Sequence, residues 1–535
     1  MYAEASDTGW TPACSAAGDR NPWLITLILS LATFMEVLDT SVANISLRHI
    51  GGDLSSGYDE TTWVLTSYLV ANAVIVPLSG WLSDVIGRKR YYMISVALFT
   101  LSSLACAMAP SLTWLIVARI AQGIGGGGLA PCEQSMLIDT FPPSQRGKAI
   151  AAYGVVLVFG PAFGPTIGGL ITDAASWRWI FLINIPIGLL SLFLVRWLVV
   201  EPQALETRRQ NRLATRGPVD ILGFLLVTAG LSCLQIVIDR GQQSDWFADA
   251  DICWLSAAAV ICLVGLCLWE FRARHPVLDL RLFRHRSFAV ATVIMGVTGA
   301  SLYATTQMVP QFLQQMMGYT ASNAGLAMTA SSVATLAMTG VTALLSNRVP
   351  AWQLIGAGIV VEVAGLLHTT LISDHMGFWT MAADRVWLVA GLPLILAPLT
   401  TGAYAKLAST ETSQASAFLN LFRNVGGAAG ISAAQTVLAR RSAFHESRLS
   451  DHLSAAHWTA GADRLTAAIQ PFYRDTMLAP SRGTLMIVSA IRHQALLLSY
   501  IDVFWTFAIF TACALPLVLF MRHRTPAAPK IIQNQ

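Results

Sequence analysis

Charge is scarce in this chain. Only 12% of its 535 residues are Asp, Glu, Lys or Arg, where a soluble domain carries roughly 25%. With 54% hydrophobic residues and a mean hydropathy of +0.57, that deficit excludes a soluble globular protein. It leaves an all-α polytopic membrane protein with most of its chain in lipid. Net charge is only +4, so where the charges lie matters more than their sum. Cysteine is sparse and scattered: eight residues, several in apolar runs (Cys106, Cys233, Cys262, Cys267, Cys513), with no CxxC pair and no His/Cys cluster. Neither a metal site nor a disulfide framework is indicated. The phosphate-cradling pattern G-x4-G-K-[ST] is absent, which argues against ATP drive; no cofactor and no nucleic-acid partner are expected. The N-terminal residues carry Glu4, Asp7 and Asp19 against Arg20 alone. They lack the basic region of a signal peptide, so the first span is expected to stay in the protein.

What is present is a series of apolar runs long enough to cross roughly 30 Å of hydrocarbon. Fourteen candidate spans fall at 22–47, 61–82, 91–109, 112–137, 149–171, 177–200, 219–238, 252–271, 288–313, 324–345, 352–372, 386–407, 416–438 and 495–521. Basic residues collect in alternate loops, as in Arg88-Lys89-Arg90, Arg146 with Lys148, Arg208 to Arg216, and Arg272 to Arg286. The intervening short loops hold Asp53, Asp59, Glu60, Asp239, Asp245, Asp249 and Asp251. Lys and Arg mark the cytoplasmic side, which places both termini there. The organisation read from this is a tail at 1–21, a six-helix bundle at 22–200 and a basic cytoplasmic linker at 201–217. Two extra helices follow at 218–272, then a second six-helix bundle at 287–521 and a tail at 522–535. The second bundle contains a long external loop at 440–494, whose Leu453, Trp458, Leu465 and Ile469 suggest amphipathic helices or, equally, a disordered surface loop.

Several segments carry chemistry or unusual packing. The fifth span contains Gly154, Gly160-Pro161, Gly164-Pro165 and Gly168-Gly169. Prolines are tolerated there because neighbouring helices re-satisfy the freed backbone groups, and glycines four apart let a second helix approach closely. The loop between the second and third spans reads Gly80-Trp81-Leu82-Ser83-Asp84-Val85-Ile86-Gly87-Arg88-Lys89-Arg90. Asp84, Arg88 and Arg90, with Asp139 at the end of the fourth span, could form a cytoplasmic charge relay; simple cytoplasmic anchoring is the plainer alternative.

Charges inside spans are costly and should face the bundle interior with a partner. The first span holds Glu36 and Asp39, three residues apart and so on roughly one face. The fourth holds Arg119 in Arg119-Ile120-Ala121-Gln122-Gly123-Ile124-Gly125. Counting 1.5 Å per residue from the span ends, Asp39 lies roughly 25 Å from the cytoplasmic entry and Arg119 roughly 10 Å from the external one, so both fall in the outer half. The carboxylates could titrate, or could only hydrogen-bond neighbouring helices. Glu133, beside Pro131, shares a face with Arg119 and could meet a cationic substrate or sit at the inner interface. Phe34, Tyr68, Tyr303 and Gln307 are the other candidate cavity residues. Glu362 and His368 have weaker context, His368 reading better as polar packing. Gly123, Gly125 and Gly128 match a dinucleotide fingerprint by letters, but no strand precedes them, so they read as helix packing.

These segments carry a resemblance. G-x5-GP-x2-GP-x2-GG resembles the fifth-helix antiporter motif of the major facilitator superfamily, and G-x-L-x-D-x2-G-R-K-R its loop motif. R-x2-Q-G-x-G is similar to the fourth-helix motif, whose arginine is implicated in proton coupling. Leu38-Asp39-Thr40-Ser41-Val42-Ala43-Asn44 resembles the first-span signature of the 14-span drug:proton antiporters, and Arg423-Asn424-Val425-Gly426-Gly427 their thirteenth-span element. Trp177 to Gly188 matches the sixth-span entry. The likeness covers nearly the whole chain and points to the EmrB/QacA type, the long loop favouring EmrB. It implies the major facilitator fold, a multi-pass protein of the bacterial inner membrane, and alternating access driven by protons. Asp39, Glu36 and Arg119 would couple the proton, and hydrophobic or cationic drugs would be the cargo. It also implies a periplasmic adaptor of the EmrA type and an outer-membrane channel as partners. Alternatives are an exporter dedicated to one metabolite, siderophore or self-made antibiotic, and a passive facilitator or receptor. The intramembrane charges argue against the last.

Overall fold

The computed structural model describes residues 21–199, 220–273, 276–346, 348–373, 376–404, 407, 411–451 and 479–521. No strand occurs among them. In chain order the long helices are α1 (Pro22–Asp53), α2 (Trp63–Ile86), α3 (Arg88–Ala107), α4 (Leu112–Thr140), α5 (Pro143–Ala174) and α6 (Trp179–Leu198). Next come α7 (Ile221–Arg240), α8 (Ala250–Glu270), α9 (Arg286–Gln315), α10 (Ala321–Leu345) and α11 (Ala351–Thr369). The last are α12 (Phe378–Tyr404), α13 (Thr412–Asp451) and α14 (Ala479–Ala512). Among the described residues, twelve helices have the length and hydropathy a span needs. α5 and α13, of 32 and 40 residues, are also long enough and complete the fourteen.

Polar residues start several of these helices by accepting orphan backbone N–H groups. The side chains of Asn21, Ser111, Asp220, Asp249 and Thr320 do so for α1, α4, α7, α8 and α10. α1 packs on α5 and α6, and α3 on α4 and α6, in the first bundle. α9 lies along α13, and α11 against α12 and α14, in the second. α7 and α8 form a hairpin; α7 rests on α2 and α13, bridging the bundles. α8 is only 17% buried and shows Trp254 and Ile261 outward, as a lipid-facing helix must.

Glycine sets how near the helices come. In α4, added Cβ atoms on Gly123 and Gly127 would lie 2.9 Å from Ala71 Cβ and Asn72 O of α2, and one on Gly125 would lie 2.6 Å from Phe99 N of α3. The glycine run thus wedges α4 between two neighbours. On α5 the stripe faces α1: Gly160 meets Val37, Gly164 meets Ser41 and Gly168 meets Val42. In the second bundle Gly426 closes on the backbone of Gly296, and Gly427 lies under the Tyr303 ring.

Three boundaries differ most from the sequence reading. α12 begins at Phe378 rather than 386, which draws Asp384 and Arg385 into the span. Residues 440–451 and 479–494 are helical extensions of α13 and α14, not loop. Polar contacts hold these extensions together: Asp502 takes Arg441 at 2.5 Å and lies 2.8 Å from His445 Nε2, and Arg492 meets Glu446 at 3.1 Å. Hydropathy could not find them, because helix continues past the bilayer wherever a neighbouring helix supports it. Leu453, Trp458, Leu465 and Ile469, the linker 201–217 and both tails lie outside the described residues.

The α5 stripe can be tested by filling it. Gly164→Leu should drive a side chain into Ser41 and cost about 1–3 kcal/mol or more, as overpacking does. Gly154→Ala, with nothing within 4 Å of its new methyl, should cost nothing. Thermal unfolding of both in detergent is the measurement; equal melting points would mean that α1 gives way freely at Ser41.

Candidate functional site

α1 and α4 bring two charges together where neither touches water. Asp39 is 3% exposed and Arg119 0%. Arg119 Nη1 lies 2.5 Å from Asp39 Oδ2. The guanidinium also donates to Gln122 Oε1 at 2.7 Å and to the Val64 carbonyl at 3.1 Å. The other carboxylate oxygen of Asp39 accepts from Gln122 Nε2 at 3.0 Å and Asn184 Nδ2 at 2.8 Å. Ser103 on α3 takes a second hydrogen from each of those amides. Asn184, fully buried on α6, lies on the helix face turned to α1 and α3. The spacing of Gln122, three residues after Arg119, made it findable; Asn184 stood within the sixth-span motif without a role.

Tyr68 extends the cluster. Its ring stacks under Arg119 at 4.3 Å, and its hydroxyl lies 3.5 Å from Glu36 Oε1. Glu36 accepts from Asn72 Nδ2 at 3.0 Å. It is half-buried and faces the other bundle, where Arg423 counts Glu36, Tyr153 and Tyr303 among its electrostatic neighbours. Asn424 reaches back to Asn72 at 3.4 Å. Phe34, Tyr303 and Gln307 are half-buried as well. Gln307 sits one turn beyond Tyr303 on α9.

Glu133 is 0% exposed and turned to α1. Ser30 donates to Oε1 at 2.5 Å and Thr33 to Oε2, and no cation pairs with it among the described residues. Glu133, Glu36 and Asp39 therefore lie in succession along α1, from its inner half to its outer half.

At the cytoplasmic end Arg88 pairs with Asp139 and donates to Thr412 Oγ1 at 3.1 Å, tying the α2–α3 turn to the start of α13. Arg90 is exposed and Asp84 half-buried. Ser416 and Asn420 of α13 bond Gln134 of α4 at 3.0 and 2.9 Å, and a Cβ on Gly80 would lie 2.9 Å from Gln414 Cα. The two bundles are thus joined at this end.

The second bundle holds charges that sequence reasoning underweighted. Asp384 is buried and pairs with His368 of α11 at 2.7 Å. Glu362 is 2% exposed. Arg385, 3% exposed, escapes a hydropathy reading that starts the span one residue after it.

The Major Facilitator Superfamily pattern matches residues 29–431. Multidrug export protein EmrB of Haemophilus influenzae is 32% identical over 492 residues, covering 91% of this chain and 93% of that protein. Fatty acid resistance protein FarB of Neisseria gonorrhoeae is 33% identical and covers 80% of this chain and 83% of its own. Multidrug export protein EmrB of Escherichia coli is 30% identical, covering 93% and 95%. Among solved structures, a bacterial homolog of the human lysosomal transporter Spinster, inward-facing and unoccupied, shares the fold. Its TM-score is 0.53 at 16% identity, over 95% of this chain and 100% of that one.

The buried pair makes a stability prediction. Arg119→Ala leaves a bare carboxylate in the bundle and should cost about 3–5 kcal/mol. Combining Asp39→Asn with Arg119→Gln removes both charges and should be milder than Arg119→Ala alone. Thermal unfolding in detergent compares them; a double variant less stable than Arg119→Ala would show that packing, not charge, holds the site.

Proposed function

The chain belongs to the Major Facilitator Superfamily, and from that premise we propose that it is a proton-driven exporter of hydrophobic and cationic compounds. It is a transporter rather than an enzyme, a multi-pass protein of the inner membrane. Relatives named for multidrug export and for fatty acid resistance support efflux of hydrophobic compounds.

The observation that carries the proton reading is the enclosed Asp39–Arg119 pair. A carboxylate and a guanidinium in a low-dielectric interior attract strongly, yet both pay heavily for leaving water. Protonating Asp39 removes the attraction at once and frees Arg119 to seek another acceptor. Gln122 and Asn184 keep the carboxyl in register while that happens. Tyr68, in contact with both Arg119 and Glu36, carries the change toward the cleft between bundles. Glu36 and Glu133 extend the carboxylate series along α1, and Glu36 meets cationic cargo on the cleft side. The two bundles rock about this region, opening it to alternate sides. Release of the cytoplasmic contacts of Arg88, Gln134 and Gly80 accompanies inward opening. A periplasmic adaptor and an outer-membrane channel complete the route, with the segment between α13 and α14 as the docking element.

In proteoliposomes with an imposed pH gradient, Asp39→Asn should lose gradient-driven transport of tetraphenylphosphonium, by about 100-fold or more, while still exchanging the cation down its own gradient. Full gradient-driven transport by that variant would remove Asp39 from the coupling step.

Deleting 452–478 tests the docking element separately. Transport in proteoliposomes should stay near the wild-type rate, and drug resistance of whole cells should fall. Loss in both assays would make the segment part of the transport unit; no loss in either would mean that the pump acts without a partner there.

A further inference from the structure

Arg385 is a buried cation whose charge no acidic group answers among the described residues. It lies in α12 with 3% of its surface exposed. A guanidinium remains charged in any protein setting. Such a charge at membrane depth normally has an acidic or backbone partner. Here Nη1 donates to Thr305 Oγ1 at 3.2 Å and Nη2 to Thr306 Oγ1 at 2.8 Å, both neutral hydroxyls of α9. Nε has no hydrogen-bond partner. The adjacent Asp384 is turned to His368 on α11, as expected when successive helical residues point about 100° apart. Glu362 forms no ion pair with it, and no other described carboxylate does either.

The contrast with the first bundle is informative. Arg119 is equally buried but meets Asp39. Arg423 has Glu36 among its electrostatic neighbours. Only Arg385, among the described arginines buried within spans, rests on hydroxyls alone. Its corner is also not sealed: Thr306 and Tyr303, about one turn apart on α9, are both partly exposed. Tyr303 packs on Gly427 of α13, about one turn from Asn424, which bonds Asn72 of the first bundle at 3.4 Å, so this face borders the seam between the bundles.

We propose that Arg385, steadied by Thr305 and Thr306, is an anion-recognition site on the second bundle, taking a monovalent anionic group. That group is the carboxylate of an amphiphilic substrate or a small inorganic anion such as chloride. The guanidinium fork matches a carboxylate in two parallel hydrogen bonds, and a dry surrounding strengthens them. Cargo would then include acids as well as cations, the cations met by Glu36 on one bundle and the acids by Arg385 on the other. This deepens the exporter reading and rests on it for its role, but equilibrium binding requires neither turnover nor a proton gradient. A failure here is therefore distinct from a failure of coupling at Asp39.

The test uses the full-length protein in detergent and two fluorescent probes, dansyl-undecanoate and the same molecule with its carboxylate converted to the amide. Wild type should bind the carboxylate about tenfold more tightly, the worth of one charged hydrogen-bonding contact. Arg385→Gln should erase that preference. Arg385→Lys, which keeps the charge but loses the fork, should retain only part of it. The second arm compares melting temperature in chloride with that in gluconate, since a bound anion stabilises the folded state. A chloride-dependent rise in wild type that vanishes in Arg385→Gln, without any probe preference, assigns the site to an inorganic anion. Should Arg385→Gln not fold, Arg385→Lys and Thr306→Val carry the test, each expected to narrow the preference or the chloride response severalfold. A preference undiminished in these variants, or a wild type with neither preference nor chloride response, overturns the proposal.

Discussion

Burying Asp39 against Arg119 constrains the whole first bundle. Neither ion is tolerated alone in a low-dielectric interior, and even paired they require further donors and acceptors to offset lost hydration. α1 and α4 must therefore meet at one register. α3 must bring Ser103 to the amides of Gln122 and Asn184, and α6 must be turned so that Asn184 faces inward. Four helices are fixed by one polar cluster. An apolar interface in lipid would leave them freer to slide, since lipid tails are as apolar as leucine.

Close approach makes that cluster possible. Side chains as short as Asp and Asn bridge helices only when backbones lie near each other. The glycines of α4 and α5 supply that proximity at Ala71, Phe99, Val37 and Ser41. The packing motifs and the charged residues are thus parts of one device, the first setting the distances at which the second interact. The same logic recurs where Gly426 and Gly427 clamp α13 to α9 beside Arg423.

The two bundles differ electrostatically despite their common architecture. The first carries Glu36 and Asp39 on α1, Glu133 of α4 turned to α1, and Arg119 bound to Asp39. The second carries Arg385 held by threonines, Arg423 facing the first bundle, Asp384 against His368, and Glu362, which pairs with no cation among the described residues. Between them Asn72, Asn424 and the Gln134 contacts are neutral and weak enough to break and re-form, as rocking requires. The α7–α8 hairpin rests on both bundles through α2 and α13, a position from which it could follow their relative movement.

Much of this was legible from the chain alone. Scarce charge and fourteen apolar runs determine a membrane bundle, because backbone groups in lipid must be satisfied within helices. Asp39, Arg119 and the α5 glycines stand out because a charge or a glycine repeat within a span is costly unless a neighbouring helix meets it. Hydropathy started the α12 span too late and could not see helix that continues beyond the bilayer, since it scores each residue against lipid and ignores what neighbouring helices provide. It left Arg385 just outside its span and read the helical ends of α13 and α14 as loop. Which partner each charge finds was decided only in three dimensions. Asp39 and Arg119 are far apart in sequence, and so are Glu133 and the hydroxyls of Ser30 and Thr33. Their pairing depends on helix register and on backbone separations set by glycine contacts, neither of which is a property of any single segment. Composition and periodicity fix which residues lie in the membrane; packing alone fixes which of their charges are answered.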